Sequence, residues 1–248
     1  MRDNIVYGRQ TVREFLRADN PPRVNKIYLS ESFPNDLRSQ VMALGGAVQE
    51  LPRREIDRMF PGIHHQGVVL ELAGSYRAAA PATAKDALAL GGPFLALDEV
   101  SDPQNLGSIL RTAEALGVRA VFSGSKTSPV TPAVHRASSG ASLHIPAYNV
   151  GNLPQFVERM KEAGIWIIAS VPDETEPARG QTFLRTTDSD DLPEAEKLCL
   201  LVGSEGTGIK SILIERADYL MTIPMHGKTG SLNAGVACAI ILERIVNR

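Results

Sequence analysis

The chain has 248 residues, of which 43% are hydrophobic and 22% charged, and a formal net charge of −2. This balance excludes a disordered chain, and no apolar run approaches the roughly 20 residues that a membrane-spanning helix needs. It announces no polyanion partner either, so nucleic-acid chemistry would have to rest on locally clustered basic groups.

The first residues, Met1-Arg-Asp-Asn-Ile-Val-Tyr-Gly-Arg9, contain no apolar signal region. Residues 8–17 predict a helix with Val12 and Leu16 on one face, and 24–29 a strand. Residues 35–44 predict a helix ended by Gly45-Gly46, and 65–72 a strand leaving a turn. Arg53, Arg54 and Arg58 could touch phosphate, but Glu55 and Asp57 interleave them, which favours a solvated face. Residues 74–91 are small, polar and proline-bearing and predict a linker, with a short helical turn at 85–90. The length allows one large domain or two small ones. We divide the chain into 1–73, a linker at 74–91 and 92–248. Residues 1–73 carry ten Lys/Arg against nine Asp/Glu, a net of +1, which leaves −3 for the remainder.

The longer part predicts a βα series. Strands are expected at 94–97, 120–122, 165–170, 198–202 and 219–223, and helices at 105–116, 131–139, 154–163, 210–217 and 231–246. Short apolar strands alternating with helices predict a parallel sheet covered on both faces. Ligands of such sheets bind beyond the carboxyl ends of the strands. The acidic stretch 173–196 predicts a solvated loop. Cys199 and Cys238 lie in apolar segments and are expected to be buried thiols in a reducing cytoplasm.

Three loops at the carboxyl edge of that sheet concentrate the chemistry. In the first, Asp98 to Gly117, Asp102-Pro103 makes a turn, Asn105 is a candidate helix cap, and Arg111 follows Gly107 and Ser108 by one turn. Two small residues beside an arginine leave room for a group to lie against its guanidinium. In the second, a strand delivers Gly203-Ser204-Glu205-Gly206-Thr207-Gly208. The glycine spacing is not that of a dinucleotide fingerprint, and no Gly-Lys-Ser/Thr closes a P-loop. In the third, a strand runs into Pro224, a polar loop with Gly227 and Gly230, and then Ser231-Leu232-Asn233 at the start of a small-residue helix. Metal chemistry has no support, because the histidines and cysteines lack ligand spacing. No GxSxG nucleophile elbow occurs.

Together these segments resemble motifs 1, 2 and 3 of the SpoU (TrmH) family of RNA ribose 2′-O-methyltransferases. The matching runs are Asp102-Pro-Gln-Asn105-Leu-Gly-Ser-Ile-Leu-Arg111, then Leu201-Val-Gly203-Ser-Glu205-Gly, then Ile223-Pro-Met and Ser231-Leu-Asn233. Tyr7-Gly-Arg-Gln-Thr-Val and His65-Gln-Gly67-Val resemble the L30e-like substrate-binding domain of members that methylate a guanosine in large-subunit ribosomal RNA. The resemblance implies an α/β fold with a C-terminal trefoil knot, S-adenosylmethionine (SAM) as cofactor, RNA as substrate and a homodimer. It assigns catalytic positions to Arg111, Asn105, Glu205, Ser231 and Asn233, and cofactor-binding backbone to Gly203, Ile223 and Leu232, with Met225 nearby. The family commonly reads Ser-Leu-Asn-Val-Ser-Val-Ala where this chain has Ala234-Gly235 after Asn233. Gly235 therefore lacks a hydroxyl. A transfer-RNA substrate, a catalytically silent RNA-binding protein and a Rossmann-type oxidoreductase are the rival expectations. The last is disfavoured by the late, wrongly spaced glycines.

Overall fold

The computed structural model describes residues 3–19, 21–74, 76, 83–188 and 192–247. Near the start of the chain, β1 (Ile5–Tyr7), β2 (Val24–Ser30), β3 (Ala47–Leu51) and β4 (Val68–Leu72) form a sheet in the order β1-β4-β2-β3. Strand β4 runs antiparallel to β1 and β2, and β3 pairs parallel with β2. Side chains alternate across the pleat. Val6, Ile27, Leu29, Val68 and Leu70 face one core with Val12 and Phe15 of helix α1 (Arg9–Arg17) and Leu37 and Val41 of α2 (Asn35–Met42). Ile5, Tyr7, Tyr28 and Val69 face the other with Ile56 of α3 (Arg53–Met59) and Phe60.

The remainder builds a seven-stranded sheet from β5 (Phe94–Leu97), β6 (Ala120–Gly124), β7 (Ala147–Gly151), β8 (Trp166–Ser170), β9 (Thr182–Arg185), β10 (Leu198–Val202) and β11 (Tyr219–Thr222). Their order is β7-β6-β5-β10-β8-β11-β9, and all neighbours are parallel. Helices α5 (Pro103–Ala115) and α9 (Ala234–Val246) pack on Leu95, Leu97, Ile168, Leu200 and Val202. Helices α7 (Leu153–Glu162) and α8 (Ser211–Arg216) pack on Phe94, Ala96, Ile167, Cys199 and Leu201 on the opposite face. Central strands buried on both sides explain the unbroken apolar runs at 94–97 and 198–202.

Helix α6 (Pro132–Ala137) and the 3₁₀ turn Ala141–Leu143 join the two sheets. Leu143 is buried in the core beneath α1. Its carbonyl accepts a 3.0 Å hydrogen bond from the Tyr76 hydroxyl, and His144 Nε2 lies 3.2 Å from Glu14 Oε2.

Several expectations need correction. Strands β1, β3, β7 and β9 were not foreseen. All are short, and β3, β7 and β9 are edge strands with largely polar or exposed residues, which leaves little periodic signal. Strand β9 lies inside the acidic stretch read as a loop, where Leu184 and Leu192 are buried; residues 189–191 lie outside the described residues. Part of the expected linker, residues 75 and 77–82, does too. In its described part the expected helical turn is present as α4 (Ala84–Leu88), which sets Ala87 into the core of the larger sheet, and Tyr76 is buried. The arginines at 53, 54 and 58 lie on the exposed face of α3, where only Ile56 turns inward.

Candidate active site

Helix α5 begins two residues earlier than expected. Asp102, not Asn105, is its N-cap, accepting from the N–H groups of Gln104 at 3.3 Å and Asn105 at 3.2 Å, with Pro103 in the first position. Proline loses nothing there, since that N–H would have no intrahelical partner. This frees the Asn105 side chain to point across the sheet edge. At the other end of the site, α9 begins at Ala234 rather than at 231. Asn233 Oδ1 caps it, accepting from Gly235 N at 2.9 Å and Val236 N at 3.4 Å.

That cap orients the Asn233 amide. Its Nδ2 donates to Asn105 Oδ1 at 2.8 Å and to Glu205 Oε2 at 3.2 Å. Asn105 Nδ2 donates to the same Glu205 oxygen at 2.9 Å. The three side chains thus close a ring of hydrogen bonds, each from a different loop. With both amides committed, Glu205 contributes only acceptor capacity, and its Oε1 makes no hydrogen bond among the described residues.

Glu205 stands at the tip of a tight turn. Ser204 and Gly208 pair across it, with N–H to O=C distances of 3.2 and 3.0 Å, and the Ser204 and Thr207 hydroxyls lie 2.7 Å apart. The turn folds back so closely that a Cβ at Gly203 would collide with the Gly208 backbone. Its far end is held by Asp98, a buried carboxylate that accepts from Lys210 N at 2.9 Å. Glu99 beside it meets Lys210 Nζ at 2.6 Å and Lys126 Nζ at 3.1 Å. The Lys210 bond first, then the Lys126 bond, hold the Glu99 carboxyl below its ordinary range.

Arg111 is not bonded to the ring of three. It is exposed, and its Nη1 donates to Ser139 Oγ at 3.1 Å. Gly107, one turn before it, is used for packing, while Ser108 is exposed. A Cβ at Gly107 would collide with Ala137, and one at Gly235 would lie 2.9 Å from Ser108 Oγ and 3.2 Å from Asn233 Oδ1. The side chain missing at 235 therefore lets α9 settle against Ser108.

Of the expected cofactor residues, Gly203 is buried, Ile223 and Leu232 are half-buried, and Met225 is 36% exposed. Ser231 is exposed, and its side chain makes no hydrogen bond among the described residues. The backbone of residues 224–232 likewise makes none with the described residues. Residues 225–231 of this loop are exposed, so its backbone donors and acceptors face solvent. Asp98, Asp102 and Ser139 were not singled out from the sequence as functional. The Asp-Pro pair was the available signal for the cap; nothing local marks Asp98 or Ser139.

Comparison with known proteins gives the family. Residues 92–243 match the model of the SpoU rRNA methylase family, and residues 5–77 match that of the RNA 2′-O ribose methyltransferase substrate-binding domain. A Bacillus subtilis protein named as a TrmH-family tRNA/rRNA methyltransferase, YacO, is 34% identical over 99% of this chain and 96% of its own length. A solved structure described as an RNA methyltransferase of the TrmH family from Porphyromonas gingivalis is 26% identical, with a TM-score of 0.70 over 98% of this chain and 89% of that one. The SpoU methyltransferase AviRb from Streptomyces viridochromogenes, solved with AdoMet, shares the fold at a TM-score of 0.73 and 23% identity, covering 98% of this chain and 89% of that one. With a family model spanning the whole larger sheet and a full-length relative above 30% identity, the chain belongs to the SpoU rRNA methylase family.

Proposed function

We propose that the chain transfers a methyl group from SAM to a ribose 2′-hydroxyl of RNA, with a guanosine of large-subunit (23S) ribosomal RNA as its target. The observation that carries this is the ring of Asn105, Glu205 and Asn233, in which all three sequence motifs meet at the carboxyl edge of a parallel sheet.

The residues present fit SAM. Unpaired backbone at 224–232 offers donors and acceptors for an adenine edge and an amino-acid group, and Ile223, Met225 and Leu232 offer apolar contact. Gly203, Ile223, Met225 and Leu232 are the residues we assign to hold it. When bound, the cofactor supplies an electrophilic methyl group on a sulfonium. The chain's own contribution is positional. Glu205, held by the Asn105 and Asn233 amides, presents an acceptor to a ribose, and Ser231 offers an exposed hydroxyl. The 2′-hydroxyl must give up its proton as its oxygen bonds to carbon. Arg111 serves this step either as a deprotonated base or as a cation that grips the adjacent phosphate and stabilises the developing alkoxide. The second role fits the persistence of the guanidinium charge.

Residues 1–73 we assign as an L30e-like RNA-binding domain and 92–248 as the methyltransferase domain with the family's trefoil knot. Strand β10, inserted between β5 and β8, and β11, inserted between β8 and β9, support a threaded chain. The exposed Arg53, Arg54 and Arg58, without an ion pair among the described residues, support RNA contact by the first domain. Exposed Val236 and Ile240 on α9 support a homodimer, and two buried free thiols suit the cytoplasm.

Mass mapping of ribose methylation in RNA from cells with and without the gene tests the function. One 2′-O-methylguanosine lost from 23S ribosomal RNA is the expected result. Loss confined to transfer RNA would replace the substrate, and no loss anywhere would remove the activity.

A further inference from the structure

We infer that Ser139 is a positioning residue for Arg111, holding its guanidinium toward the reacting ribose. Its hydroxyl accepts from Arg111 Nη1 at 3.1 Å, the only hydrogen bond this side chain makes among the described residues. Ser139 also carries backbone strain, with φ +54°, in the left-handed region that disfavours a side chain. Here it is the left-handed position that ends α6, with Gly140 N reaching back to His135 O.

The surroundings here are tight on every side. Ser139 N bonds Arg136 O at 3.1 Å, and Gly140 N bonds His135 O at 2.8 Å. The buried Ser138 hydroxyl bonds His135 O at 3.0 Å and lies 2.8 Å from Ser142 Oγ. Gly140, at φ +95°, presses on α1: a Cβ there would lie 2.6 Å from Glu14 Cβ and 3.2 Å from Thr11 Cα. The backbone around Ser139 is thus held by α6 on one side and by α1 on the other. An exposed arginine with four free torsions gains a fixed acceptor, which confines its head without neutralising it. A carboxylate in the same place would pin the cation more strongly but cancel the charge that the transition state needs. Glycine would relieve the strain and lose the acceptor.

This inference rests on the role proposed for Arg111. The test measures single-turnover methylation of total RNA from a gene-deleted strain, using radiolabelled SAM, in four variants of the full chain. Ser139→Gly should keep or raise the thermal midpoint, bind SAM with unchanged affinity in calorimetry, and lose on the order of tenfold in rate, the loss typical of one hydrogen bond to a charged group. Ser139→Asn, whose amide oxygen can accept from a left-handed backbone, should recover most of that rate. Arg111→Ala should lose on the order of 10²- to 10⁴-fold, and the pair Arg111→Ala with Ser139→Gly should lose no more than Arg111→Ala alone. A full tenfold further loss in the pair, or an unchanged rate in Ser139→Gly, would overturn the positioning role while leaving Arg111 in the mechanism. An unchanged rate in Arg111→Ala would remove Arg111 from the mechanism, and Ser139's role with it.

Discussion

His135 is a residue whose environment fixes its charge. It is 4% exposed, its Nδ1 lies 2.8 Å from Ser142 Oγ, and the Tyr76 ring meets it edge-on at 6.1 Å between centroids. Burial lowers its pKa from 6.5 to about 4, and no charged neighbour contributes to the shift. The folded chain therefore stays unprotonated at 135 between these values, while the unfolded chain takes up a proton. Stability from this group is complete above pH 6.5 and is lost progressively as the pH falls toward 4, by at most about 3 kcal/mol. Urea unfolding at pH 7.5, 6 and 5 should show His135→Asn with a flatter acid dependence than the parent; parallel curves would refute the assignment. At this scale the sequence was informative where polar residues sit in loops between apolar elements. Asn105, Glu205 and Asn233 lie in such loops, and the resemblance to the family's motifs assigned them their roles. Ser139 did not, because a left-handed φ and a hydroxyl aimed at an arginine 28 positions away leave no local pattern.

Elements carry the site through their ends. Three helix or strand termini converge: the first turn of α5, the turn after β10 and the cap of α9. The turn after β10 is the most constrained, since the Gly203 backbone touches that of Gly208. Gly203→Ala should force this turn open and move Glu205 out of reach of Asn105 and Asn233. We expect loss of SAM binding in calorimetry and a destabilisation of about 1–3 kcal/mol, as for other overpacked sites. Wild-type affinity and stability in Gly203→Ala would show that the turn is not closed in solution. Long apolar strands and amphipathic helices were legible from their periods, because burial on both faces of β5 and β10, or on one stripe of α5, dictates composition directly. Edge strands β7 and β9 were not, because their residues answer to one neighbour and to water. Helix starts at 103 and 234 were misplaced by two and three residues, since a cap is set by side-chain geometry that spacing alone does not show.

The two sheets meet through α6 and the turn after it, so the molecule is more than two beads on a string. Leu143 lies in the core under α1, and Tyr76 reaches its carbonyl. A chain starting at residue 83, which keeps α4, should fold and bind SAM but lose affinity for 23S ribosomal RNA fragments. Its thermal midpoint should drop because Leu143 and Gly140 lose their cover. Equal RNA affinity with and without residues 1–82 in filter binding would refute the division of labour. Light scattering of the full chain should give a dimer mass at micromolar protein, and a monomer mass with full activity would overturn the dimer. The strand order of the larger sheet also has a consequence for synthesis. Its middle position belongs to β10, which leaves the ribosome only after β5 to β9 have all been made, and β11 must then enter between two strands already present. The first sheet is complete by residue 72 and can form while translation continues. The second must wait with an open gap at its centre, its apolar edges exposed to other nascent chains until the last fifth of the polypeptide arrives.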